Sequence, residues 1–171
     1  MSDLTDEAPQ SIETPDSMVI VAWSGDLDKI WPTLILGSTG AAYGMKTTIF
    51  FTFWGLFPLV KEGVRFTGDD NMTKALAAMN PPGMDHMKLS KLNLGGGGAK
   101  LMMKRAESLK VAHPKELMEM CVELGVQLWP CEMTMELLGI TKDNLIDGVG
   151  TPVGAATALS EMSKSQINLF I

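Results

Sequence analysis

The chain has 171 residues, 46% of them hydrophobic and 20% charged, a length that suits one domain and a composition that excludes a disordered chain. Fourteen Met against two Cys, beside four Trp, six Phe and one Tyr, exclude a disulfide-stapled secreted scaffold and point to reduced thiols. Fourteen Lys and Arg against twenty Asp and Glu give a net charge of -6, which argues against a nucleic-acid partner held through its phosphates.

Met1 to Ser17 carries five acidic groups, Pro9 and Pro15, and no Lys or Arg. It lacks the positive and apolar regions of a secretory signal and reads as a disordered acidic tail, residues 1–17, ahead of a single α/β domain over 18–171. The longest apolar stretch, Thr47 to Val60, is interrupted by Gly55 and Pro58 and falls short of the ~20 residues that a membrane-spanning helix needs. A cytoplasmic protein without stable membrane insertion is therefore expected.

Met18 to Trp23 is a continuous apolar run, the pattern of a strand buried on both faces of a parallel sheet. Ser24 and Asp26 are N-cap candidates for a helix in which Leu27, Ile30, Leu34 and Leu36 recur at near-helical spacing up to Gly44, with Pro32 in its first turn. Met45 to Phe53, rich in β-branched and aromatic residues, predicts a second strand, and Trp54 to Lys61 a short helix. Thr67 to Asn93 is irregular, long enough to serve as a lid or oligomer contact. Gly95 to Gly98 precede a basic, Met-rich helix over Ala99 to Ser108. His113-Pro114 opens a helix that ends at Gly125. Val126 to Trp129 predicts a strand, Glu132 to Gly139 a short helix, Leu145 to Val149 a strand, Pro152 to Lys164 a helix and Ile167 to Ile171 a final strand. The alternation predicts a three-layer, flavodoxin-like α/β sandwich with five parallel strands.

Ligands of such sheets bind beyond the carboxyl ends of the strands. The first strand delivers Ser24, Gly25 and Asp26 there, the second Trp54 and Gly55, the third Cys131 and Glu132, and the fourth Gly150. Ser24, Gly25, Trp54, Gly55, Glu132 and Gly150 are the substrate-binding candidates. Cys131 is the good nucleophile of the set, placed at the amino end of a helix whose dipole and free N–H groups favour a thiolate. Glu132 and Glu136 oppose that effect by like charge. Cys121 lies mid-helix on an apolar face with Leu117, Met118 and Leu124, the setting of a core cysteine. It should lie on the order of 10 Å below Cys131 along the strand axis, too far for a disulfide.

The run from Gly95 to Lys100 lacks the Gly-Lys-Ser/Thr ending of a phosphate loop, so it reads as a hinge or a loop whose amides approach an anion. Lys100, Lys104 and Arg105 read as a solvated helix face. His86 and His113 share no metal-ligand spacing with the cysteines, so neither a metal nor an organic cofactor is expected. Most methionines read as core filler and interface contacts, with Met133 and Met135 keeping the thiol site apolar.

Three separated segments, Phe51-Thr52-Phe53-Trp54-Gly55-Leu56, Leu89-Ser90-Lys91-Leu92-Asn93 with the glycines and Ala99-Lys100 that follow, and Cys131-Glu132-Met133-Thr134-Met135 to Gly139-Ile140, give the chain a resemblance to the DsrE/DsrF-like family, in its peroxiredoxin-like sulfur-carrier branch. The resemblance spans Ser17 to Ile171. It implies a five-stranded parallel sheet, a homo-oligomer, and a cysteine that carries sulfane sulfur as a persulfide or thiosulfonate. Cys131 stands at that cysteine, Thr134 belongs to its motif and to the substrate-binding set, and Cys121 falls where some members place a secondary thiol. TusA-like carriers, rhodaneses and heterodisulfide-reductase-like systems are the partners implied.

A sulfur carrier or sulfurtransferase is thus the leading expectation, since attack on a sulfane sulfur needs only an accessible thiolate. The alternatives are a non-catalytic oligomeric module that binds a small anion or nucleotide at the strand ends, and a thiol peroxidase. The latter is disfavoured by the absence of a nearby Arg or resolving thiol. The Met-rich stretch 67–103 suggests self-association.

Overall fold

The computed structural model describes residues 16–64 and 81–171. The acidic tail up to residue 15 and the 67–80 part of the irregular segment lie outside the described residues. Strands β1 (Ser17–Ala22), β2 (Lys46–Phe51), β3 (Gln127–Pro130) and β4 (Ile167–Phe170) form one parallel sheet in the order β3-β2-β1-β4. Helices α1 (Leu27–Ala42), α2 (Gly97–Ser108), α3 (Pro114–Glu123), α4 (Glu132–Leu138) and α5 (Ala155–Met162) connect or flank them. No helix among the described residues is long and apolar enough to cross a membrane.

Strand side chains alternate between the two faces of the sheet, so each strand feeds two cores. Met18, Ile20 and Ala22 of β1, Ile49 and Phe51 of β2 and Leu128 of β3 share one core with Ile30 and Leu34 of α1, Leu117, Met118 and Cys121 of α3, and Met135 and Leu138 of α4. Val21 and Phe50 point the other way and pack with Cys131 and Ala158 of α5, bordered by Trp129, Val153 and Met162. Burial on both faces is why Met18 to Ala22 reads as an unbroken apolar run, and β2 buries Thr47 and Thr48 along with Ile49, Phe50 and Phe51. Burying each large side chain of this kind, such as Phe51 or Ile20, contributes about 1.5–3 kcal/mol.

The fifth strand expected at Leu145 to Val149 is not formed; among the described residues the sheet has four strands. Leu145 instead makes an isolated antiparallel bridge with Val60, and the Ile146 amide donates to the Leu59 carbonyl at 2.8 Å. Its apolar residues close the larger core at the 3-10 turn Phe53–Leu59 rather than extending the sheet. A rudiment of a fifth strand follows it, along the outer edge of β3. Gly150 N–H donates to Leu128 O, Val153 N–H to Pro130 O and Glu132 N–H to Val153 O. The first two bonds advance three residues on one side and two on the other, and Pro152 between them has no N–H, so the ladder stops at one bridge pair, Cys131 and Val153.

Pro32 stands at the sixth residue of α1, one turn later than expected. Asp26 is the α1 N-cap, but its side chain makes no capping bond. The start of α1 is held from outside, with Leu27 N–H donating to Lys88 O at 2.8 Å and Asp28 accepting the Ser90 amide at 2.8 Å and the Ser90 hydroxyl. These bonds tie the described part of the irregular segment to the carboxyl edge of the sheet.

Candidate functional site

The carboxyl ends of the strands assemble two neighbouring features. At the end of β1 the chain turns through Ser24, Gly25 and Asp26, and at the end of β2 through Phe53, Trp54 and Gly55. These turns interlock through backbone: Gly55 N–H donates to Trp23 O at 3.2 Å. A Cβ on Gly55 would lie 2.1 Å from the Ala22 carbonyl oxygen, and one on Gly25 would lie 2.5 Å from that of Trp54. Both glycines therefore serve close approach of main chains.

Ser24, Gly25, Asp26 and Trp54, with Trp23, Phe57, His86 and Lys88, line a cleft of about 300 Å³ above this junction. The Ser24 hydroxyl donates to the Asp26 carboxylate at 3.0 Å and accepts the Asp26 amide at 3.2 Å, so the loop is rigidified from within. His86 lies 3.9 Å from Glu62 on the same side, while His113 is the N-cap of α3 in a capping box with Glu116.

Cys131 forms the second feature, at the end of β3, and is not part of that cleft lining. It is the N-cap of α4. Its amide donates to Phe51 O at 2.9 Å, which fixes the residue at the sheet edge with its side chain in the smaller core. Its side chain is buried, and burial alone pushes a thiol pKa up. The hydroxyls of Thr134 and Thr52, with the backbone N–H groups of Thr134 and Met133, outweigh that effect and hold Cys131 below its ordinary value. Thr134 Oγ1 accepts the Phe53 amide at 3.0 Å and lies 3.3 Å from Thr52 Oγ1.

The expected activation by a helix terminus is thus sharpened to a local one. α4 has seven residues and a correspondingly small dipole, and individual donors carry the effect. Thr52 is a contact that sequence reading missed; its position directly before Phe53 at the end of β2 was the available signal. Glu132 and Glu136 are exposed. Gly150 serves the β3 edge through its bond to Leu128. Met135 belongs to the opposite core and Met133 is exposed, so the apolar wall beside the thiol comes from Met162, Val153 and Ala158 instead. The helical period rotates residues 133 and 135 away from it.

Cys121 is fully buried in the larger core, its Sγ 3.7 Å from the Leu34 carbonyl as a weak donor. Burial pushes its pKa up to about 12. Both cysteines are free.

The model of the DsrE/DsrF/DrsH-like family matches residues 14–170. The chain belongs to this family. Two relatives each match most of the chain. The uncharacterized protein YrkE of Bacillus subtilis is 38% identical over 152 residues, 89% of this chain and 94% of its own length. The sulfur carrier protein DsrE2 of Allochromatium vinosum is 35% identical over 161 residues, 90% of this chain and 97% of its own. This DsrE/DsrF/DrsH-like chain thus has among its relatives one that is named a sulfur carrier protein.

Proposed function

We propose that this protein is a sulfur carrier in which Cys131 holds sulfane sulfur and passes it to an acceptor thiol. The observation that carries the reading is the place of Cys131 at the carboxyl edge of the sheet, as the N-cap of α4, where its thiol is held below its ordinary value, in contrast to Cys121 in the middle of the larger core. Its family membership and its likeness to DsrE2 support the same reading.

In the loading step the Cys131 thiolate attacks the outer sulfur of thiosulfate. A new S–S bond forms, the sulfur–sulfur bond of the donor breaks, and sulfite leaves with the bonding pair. In the unloading step an acceptor thiolate attacks the terminal sulfur of the protonated persulfide, and Cys131 departs as thiolate. No net redox change is required, and a thiolate of lowered basicity is a good leaving group. Because Cys131 is only 6% exposed, the donor must present a slender terminal sulfur, as thiosulfate and polysulfides do. Acceptors of the TusA-like or rhodanese-like kind present a thiol on a protein surface and suit the unloading step. Leu92, Leu94 and Leu101 are exposed apolar residues that support homo-oligomerisation, which light scattering after size exclusion would measure.

Intact-mass measurement after incubation with polysulfide or thiosulfate tests the assignment. The expected result is a gain of one sulfur or more that is lost in Cys131→Ser and kept in Cys121→Ala. A gain that survives Cys131→Ser overturns it.

A further inference from the structure

We propose that the exposed face of α4 is a docking surface for a partner protein that presents its thiol among basic side chains, and that this face brings the partner to Cys131. This assignment rests on the reading of Cys131 as a sulfur carrier and deepens it by giving the chemical class of the protein acceptor.

The helical period divides α4 between core and solvent. Thr134, Met135 and Leu138 are buried, whereas Glu132, Met133, Glu136 and Leu137 are exposed. Residues four apart share a side of a helix, so Glu132 and Glu136 form one row and Met133 and Leu137 the row beside it. Met133 is 73% exposed and Leu137 63%. Phe53, 47% exposed and bonded through its amide to Thr134, adds a third apolar side chain beside the helix. Exposed apolar residues rimmed by polar ones mark a protein contact, and this patch begins next to Cys131, the N-cap of α4. A thiol carried on a folded surface approaches a sulfur as buried as that of Cys131 only when the two surfaces meet around it.

Charge decides which surface fits. β3, α4, the turn at 53–59 and the edge segment 148–154 together carry Glu132 and Glu136 and no Lys or Arg. The stretch 139–147 adds Lys142 against Asp143 and Asp147, and Lys46, at the far end of β2, is paired with Glu161 of α5. The edge is therefore acidic. Basic side chains around a partner thiol complement it, and the same charges lower the pKa of that thiol and supply the thiolate that unloading needs. A second copy of this chain fits less well, because a two-fold contact sets a patch against itself and brings the glutamates onto their own kind.

The test uses two synthetic peptides with the same apolar residues and one cysteine each, held as a mixed disulfide with thiopyridine and flanked by Lys in one and by Glu in the other. The Cys131 thiolate attacks the peptide sulfur. A Cys131–peptide S–S bond forms, the bond to thiopyridine breaks, and thiopyridine leaves with the bonding pair and takes a proton from water. Its absorbance gives the rate and intact mass the adduct, in a Cys121→Ala background. The Lys peptide should react faster by about tenfold at low ionic strength, and the ratio should fall toward one as salt is added. Glu132→Gln with Glu136→Gln should shrink the preference and Glu132→Lys with Glu136→Lys should reverse it, which separates docking from the intrinsic reactivity of the peptides. Met133→Ser with Leu137→Ser should slow both peptides alike. Equal rates, a preference that charge reversal leaves unchanged, or no reaction with either peptide overturns the proposal. So does a fall in oligomeric mass on Met133→Ser with Leu137→Ser, which would make the face a contact between copies. No sulfane sulfur takes part, so this outcome is distinct from a failure of Cys131 to load, which the mass gain after polysulfide reads.

Discussion

Cys121 and Cys131 lie on opposite faces of the same parallel sheet. Cys121 shares the core of Ile20, Ile49 and Phe51, whereas Cys131 shares that of Val21 and Phe50. The alternation of β1 and β2 sends these neighbouring residues in opposite directions, so the sheet itself separates the two thiols. Only Cys131 should react with a thiol reagent in the native protein. Both should react after denaturation, and mild oxidation should produce no intramolecular disulfide. Mass mapping of labelled peptides, with and without denaturant, checks this.

The two thiols bias the pH dependence of stability in opposite directions. The folded pKa of Cys121 is raised from 9.0 to about 12. Between those values the unfolded chain has lost the proton and the native one retains it. Stability therefore falls as pH rises through that window, at about 1.4 kcal/mol per pH unit. Cys131 is depressed in the native state by its hydrogen bonds, against the opposing effect of burial. Its contribution is present above the unfolded pKa and is lost as pH falls through the folded one. Urea titrations at stepped pH should show a shallower decline above pH 9.0 in Cys121→Ala than in the parent, whereas Cys131→Ala should lose a rise in stability just below pH 9.0 and leave the slope above it unchanged.

Gly55 is the residue on which the junction of the β1 and β2 ends depends. An added Cβ would meet the Ala22 carbonyl oxygen at 2.1 Å and its carbon at 2.6 Å, and neither belongs to a side chain that could swing away. Gly55→Ala should destabilise by about 1–3 kcal/mol, in the range of overpacked interiors. Gly97→Ala is the contrasting case. Its φ is -62° inside a helix and a Cβ there meets nothing within 4 Å, so it should stabilise by about 0.4–1 kcal/mol. Thermal melts of the two variants would show shifts of opposite sign.

Periodicity made β1, α1, β2, α3, β3 and β4 legible to within a residue or two, because each is long enough, or apolar enough, to carry its own pattern. The same rule failed at Leu145 to Val149. A short apolar run records only that its residues seek burial, and here burial is met by capping the larger core against Leu59 and Val60 rather than by pairing with β3. Around the site, Cys131 was legible from its place after a strand and before a helix. Thr52 was not, since it lies 79 positions from Cys131 and only the pairing of β2 with β3 brings their ends together.

The sequence alone determined that a parallel α/β sheet would form, and which residues would reach its carboxyl edge, because hydrophobic period and turn chemistry are local properties. Tertiary structure decided how those residues divide. Ser24, Gly25 and Trp54 went to a cleft, Cys131 with Thr52 and Thr134 to a hydrogen-bonded cluster, and Cys121 to the opposite core. That division depends on strand order, register and the face each side chain takes, which are relations between segments and have no signature within any one of them.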